Sequence, residues 1–319
     1  MAKLSRPRRG SLQYWPRKRV KELLPSVNWT GILENNKDKK LLGFIGYKVG
    51  MASVYVKDNT ADSMTKNKKI SIPITILECP PVKILSVRFY KNKRLFSEVV
   101  SQNLDKELKR VLKIPKKYKK IDDVKNSDYD DIKVIVYSLV KKTKLKKTPD
   151  LLEIALGGSL EEKINFVKDH LGKDIKVIDV FSKMQLVDIR GVTKGKGLQG
   201  AVKRYGIGLK SHKAEKGRRR SGSLGPWHPA RVTFRVPQAG QLGMFTRPTY
   251  NLKVIDVNSV EQSNINPSSG FKHFGNINTD YILLNGSVQG PQKRALVLTF
   301  PLRKTKKQDK KNYELIEIR

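Results

Sequence analysis

Apolar and polar positions along the chain fall into a period of two for most of its length. From Leu41, LLGFIGYKVGMASVYV alternates apolar residues with small or polar ones, and Gly43, Gly46 and Gly50 punctuate it. That texture predicts a strand, a tight glycine turn and a second strand. ISIPITILE (70–78) predicts a strand in which Pro73 marks an edge or a bulge. VKILSVRFY (82–90) predicts another, with Val82, Ile84, Val87 and Phe89 on core faces. Strand texture returns at 132–140, 151–157, 174–182, 186–192, 252–258, 279–290 and 294–300, with turns at Gly286 and Gly290-Pro291. YELIEI, from Tyr313, reads as a last short strand.

A helical period appears twice. Leu104, Leu108 and Leu112 are spaced for one helix face. Ser159 and Glu162 form a capping box, Leu160, Ile164, Val167 and Leu171 make the stripe behind it, and Gly172 closes the helix. The reading is a mainly β protein with an α+β insertion. Its divisions are a basic N-terminal arm (1–40), a β body (41–100, 174–194 and 246–302), the insertion (101–173), a basic central finger (195–245) and a basic tail (303–319).

Two stretches have no apolar rhythm. Residues 1–21 carry Arg6, Arg8, Arg9, Arg17, Lys18 and Arg19 among their cations and no acid. Pro7, Gly10 and Pro16 preclude a continuous helix. The stretch reads either as a disordered tail or as an extended arm on RNA, with arginines for phosphates and Tyr14 or Trp15 for stacking on an exposed base, and the aromatic pair favours the arm. From Arg190 to Arg247 the chain is rich in glycine, lysine and arginine, and Glu215 is its one acid. Lys194, Lys196, Lys203 and Arg204 lead this segment, Lys213 and Arg218, Arg219 and Arg220 follow, and Arg231, Arg235 and Arg247 end it. So little apolar surface cannot offset the entropy of ordering the segment. A densely negative partner is required, and a phosphate backbone supplies that charge.

Composition agrees. The 319 residues hold 66 Lys+Arg against 29 Asp+Glu, a net charge of +37. Such an excess repels itself unless a polyanion neutralises it. Cys79 is the lone cysteine, so no internal disulfide or cysteine-based zinc site forms, which suits a reducing compartment. No run approaches the roughly 20 apolar residues that span a bilayer. Neither a membrane partner nor a small-molecule substrate is expected.

Catalytic chemistry finds little support. Gly195, Gly197 and Gly200 spell G-x-G-x-x-G, but no apolar helix follows and the ribose-binding acid is missing. The glycines read better as backbone that comes close to phosphates. His170, His212, His228 and His273 lack ligand spacing, and carboxylates are nearly absent where phosphates would lie. No metal, no cofactor and no catalytic residue is expected. The rival readings are an RNA-acting enzyme and a DNA-packaging protein. Trp227, in GPWHPARV, is either the plug of a small local core or an exposed loop tip that wedges among bases.

These last residues carry a resemblance. GVTKGKGLQGAVKRYG, GSLGPWHPARV and VPQAGQLGMFTR resemble the signature of the universal large-subunit ribosomal protein three family. SRPRRGSLQYWPRKR, GFIGYKVGM, DVFSKMQLVDIRGVTKGKG and GSVQGPQKRALVL resemble its archaeal-type members. The resemblance covers nearly the whole chain. It implies a six-stranded Greek-key β-barrel of the translation-protein type, seated on large-subunit rRNA beside neighbouring ribosomal proteins in the cytoplasm. It implies that the arm and the finger reach toward the peptidyl-transferase centre. Trp227 would stand at the fingertip, near the aminoacyl-tRNA entry side. Lys48, His212, His228 and the arginines of the stem would join the rRNA contacts. The finger reads SHKAEKGRRR where eukaryotic members have a Lys-x-His-Arg-Gly texture, so no modification at His212 is carried over. The arm and finger are expected to order only when rRNA neutralises them.

Overall fold

The computed structural model describes residues 7–36, 38, 40–115, 117–119, 121 and 129–319. It is mainly β. The chain divides into two compact units, Met1–Glu22 with Val192–Thr246, and Leu23–Gly191 with Arg247–Arg319.

The second unit is built on β1 (Gly43–Asp58), β2 (Lys69–Cys79), β3 (Val82–Lys91), β4 (Arg94–Val100), β5 (Asp131–Ser138) and β6 (Leu151–Ala155). It continues with β7 (Leu186–Val192), and later β10 (Thr246–Ser259), β11 (Asp280–Asn285), β12 (Ala295–Thr299) and β13 (Tyr313–Ile318). One sheet has the order β12-β7-β10-β11-β2-β1-β13, and β1 also pairs with β12. The pairings therefore run from β1 through β2, β11, β10, β7 and β12 back to β1. A smaller sheet has the order β4-β3-β5-β6, in which β3 pairs with β4 on one side and with β5 of the insertion on the other. Phe44, Ile189 and Leu298 of the larger sheet share one apolar cluster with Val87, Val134 and Ile154 of the smaller.

The expected turn inside 41–56 is absent, and β1 is one 16-residue strand. Gly43 and Gly46 serve close packing, whereas Gly50 has room for a Cβ. A Cβ at Gly43 would stand 2.7 Å from the Trp29 ring and 2.9 Å from the Leu298 carbonyl, and one at Gly46 would meet Leu298 and Cys79. Flanked by β2 and β12, the first half of β1 leaves no room for side chains there.

The expected strand at 174–182 also gives way. Ile175 forms a single bridge to Val82, and Val177–Asp179 is a 3₁₀ turn whose Lys176 N–H donates to Asp179 at 3.0 Å. Val177, Val180 and Phe181 are buried, and their spacing is helical. The stripe at 104–112 forms only a short 3₁₀ helix, Lys106–Arg110, with Leu108 buried. β4 had no signal, because RLFSEVV keeps only Val99 buried. Pro73 sits in β2 just past the last residue paired with β11, Ile74. Its missing N–H faces no strand on that side.

The capping box forms as expected. Ser159 Oγ accepts from Glu162 N–H at 3.4 Å and Glu162 accepts from Ser159 N–H at 2.9 Å, opening a helix over Leu160–His170.

Candidate nucleic-acid interface

The first unit holds both stretches that lack an apolar rhythm. Twenty lysines and arginines face only Glu22 and Glu215 within it. Nearly half of the chain's +37 excess thus falls in under a quarter of its residues.

The finger leaves and returns through a short backbone ladder. β8 (Leu198–Gln199) pairs with β9 (Gly240–Gln241). Thr193 N–H donates to Phe245 at 3.0 Å, Lys196 N–H to Leu242 at 2.9 Å, and Leu242 N–H to Gly197 at 2.9 Å. Gly243 has φ +76°, and a Cβ there would lie 1.9 Å from the Lys194 carbonyl oxygen. Only glycine fits that crossing.

Beyond the ladder, Ala201–Tyr205 makes one helical turn that Gly206 ends at φ +66°. Ala201, Tyr205 and Ile207 form a small buried cluster. Arg204 folds back as a clamp, its Nε donating to Gln241 O at 3.1 Å and its Nη1 to Gln238 O at 3.1 Å and Ala239 O at 3.3 Å. The N-terminal arm lies along the same root. Arg17, Arg204 and Arg8 stand 4.6, 5.2 and 5.3 Å from the centroid of the Tyr205 ring. Trp15 packs on Phe234 with centroids 5.0 Å apart, and Val20 N–H donates to Met244 O at 3.0 Å.

The outer finger is solvent-facing. His212, Lys213, Arg218, Arg219, Arg220 and His228 are exposed, as are Arg231 and Arg235. Trp227 is 85% exposed and plugs no core. Lys210 N–H donates to Arg218 O at 3.1 Å, and Arg218 Nε returns the bond to Lys210 O at 3.2 Å. Lys194, Lys196 and Lys203 are exposed near the root. On the arm, Arg9, Tyr14, Lys18 and Arg19 are exposed as well. At Gly197 and Gly200 an added Cβ would meet nothing within 4 Å, so the backbone there is open to a close approach.

Three residues of the expected set lie elsewhere. Arg6 is outside the described residues. Lys48 is buried, and its ammonium donates to the Val288 and Gly290 carbonyls. Arg247 is half-buried and opens the chain's return into the second unit. Two aromatics that organise the root, Tyr205 and Phe234, were not singled out from the sequence. Their only signal was their position as large rings inside a glycine-rich basic run. Among the described residues, no cluster of His, Cys, Asp and Glu is placed to hold a metal ion.

The family model for ribosomal protein L3 matches residues 1–319. The chain belongs to the ribosomal protein L3 family. The large ribosomal subunit protein uL3 of Methanocaldococcus jannaschii is 41% identical over 314 residues, spanning 94% of this chain and 92% of the relative. The uL3 proteins of Archaeoglobus fulgidus and Methanococcoides burtonii are 38% and 39% identical, each over 95% of this chain and 94% of their own length. Membership of the L3 family makes the chain a structural component rather than an enzyme, which sets aside the RNA-acting enzyme as a rival.

Proposed function

We propose that the protein is a structural constituent of the large ribosomal subunit in the cytoplasm, bound to large-subunit rRNA beside other ribosomal proteins. It supports subunit assembly and the architecture around the peptidyl-transferase centre. The observation that carries the reading is the first unit, twenty cations against two acids on exposed, glycine-rich backbone. Phosphates neutralise that charge, and the exposed Trp227 and Tyr14 suit unpaired bases, which RNA offers and duplex DNA does not.

In this reading Arg8, Arg9, Arg17, Lys18 and Arg19 hold the arm on rRNA. Lys194, Lys196 and Lys203 grip phosphates at the finger root. Arg218–Arg220, Arg231 and Arg235 do so along the stem, and Trp227 probes the RNA at the tip. The ring of pairings through β1, β2, β11, β10, β7 and β12 supports a six-stranded Greek-key barrel of the translation-protein type as the body. The arm, body, insertion, finger and tail keep the boundaries read from the sequence.

The test is competition at one fixed salt concentration, because salt alone rescales every polyanion affinity. A large-subunit rRNA fragment should displace a labelled copy of itself far better than duplex DNA of equal length. Equal competition would show that the basic unit binds any polyanion and would remove the argument that it reads rRNA.

A further inference from the structure

We propose that Tyr205 is a positioning residue for RNA binding, whose ring presets Arg8 and Arg17 as a pair for the phosphodiester backbone. The proposal rests on the rRNA reading and deepens it.

Tyr205 is 6% exposed and belongs to the buried cluster with Ala201 and Ile207. Three guanidiniums gather around that one ring. The π face attracts each of them. Their mutual repulsion remains, because the unit's only acids are Glu22 and Glu215. An anion completes such an arrangement.

The three arginines differ in what they have left to give. Arg204 is held by the carbonyls of Gln238, Ala239 and Gln241 and ties the returning strand to the helical turn. Arg17 gives one donor to Ser11 O at 2.7 Å, closing a loop of the arm. A guanidinium has five donors, and among the described residues Ser11 O is the one acceptor recorded for Arg17. Arg8 is exposed. Arg8 and Arg17 are therefore presented together, at a fixed place on the finger root. Gly206 shows independently how tightly the arm is seated, since a Cβ there would lie 2.6 Å from Arg9 Cδ. Holding two cations in place before the RNA arrives removes part of the ordering cost of binding.

The test uses the full-length protein and a large-subunit rRNA fragment, with affinity measured across a salt series. Each phosphate contact contributes about 0.7–0.9 to the slope of log K against log salt. Tyr205→Leu removes no charge, yet it should lower that slope by about 1.5, as the double variant Arg8→Ala/Arg17→Ala does. Combining the three changes should lower it no further, and Tyr205→Phe should keep the wild-type slope. Tyr205→Met, which refills the pocket with a flexible chain, should match Tyr205→Leu.

Weaker binding of Tyr205→Leu at an unchanged slope would show that the ring only packs, and would overturn the proposal. A slope loss well beyond that of the double variant would mean that the whole unit had collapsed, and would overturn it too. If the wild-type protein bound rRNA no better than duplex DNA, the rRNA reading itself would fall instead.

Discussion

Trp29 and Trp227 are the same side chain in opposite settings. Trp29 is 3% exposed, donates Nε1–H to Glu153 O at 3.1 Å and lies against Gly43. Trp29→Ala should cost about 3–5 kcal/mol of stability, the usual penalty for emptying a large buried site. Trp227→Ala should change stability by no more than about 0.5 kcal/mol. Thermal melts of the RNA-free protein check both. Lys48 carries the same lesson for charge. The resemblance puts it on rRNA, yet it is buried and its ammonium donates to the Val288 and Gly290 carbonyls. Lys253 is likewise buried and donates to Asp309 O at 2.9 Å. A sequence counts cations but does not tell which of them face water. Glu78 adds a pH-dependent residue. It is fully buried, and burial raises its pKa to about 7 against the N–H groups of Asn278 and Thr279, which favour the charged form. The folded state therefore holds this proton in a range where the unfolded chain has released it. Stability should fall as pH rises from the ordinary carboxylate range to about 7, and Glu78→Gln should flatten that part of the curve in denaturant titrations.

At the scale of elements, local rules worked where local interactions decide. The capping box at Ser159 is made within one turn, and the sequence alone names both partners. β1 is different. Its glycines look like a turn until β2, β12 and Trp29 are brought against them. The same limit applied at 174–182, where burial on a helical spacing competed with an alternating pattern. The finger root supplies a test of element integrity. Gly243→Ala places a methyl against the Lys194 carbonyl in a left-handed backbone region. It should speed hydrogen exchange at the Lys196 and Leu242 amides, which bridge the ladder, and leave the amides of β1 and β2 unchanged.

For the whole molecule, charge and burial are segregated. The second unit has the shared apolar core, and the first has a small cluster and a large cation excess. Hydrogen exchange on the RNA-free protein should therefore grade along the finger. Amides of the root ladder and of the turn at Ala201–Tyr205 should be protected, and those of 211–233 should exchange quickly until rRNA is added. Uniform protection along the finger would mean that it needs no RNA to hold its shape.

By itself, the sequence determined the class of partner, most strand positions and the two stretches that carry the charge. These are properties of composition and short-range period, which do not depend on what lies across the fold. The tertiary structure alone decided which cations are buried, that Gly43 and Gly46 are contact points and not turns, and that Arg8 and Arg17 of the arm meet the Tyr205 ring. Each of those depends on residues far apart in the chain meeting in space, and no local pattern encodes that meeting.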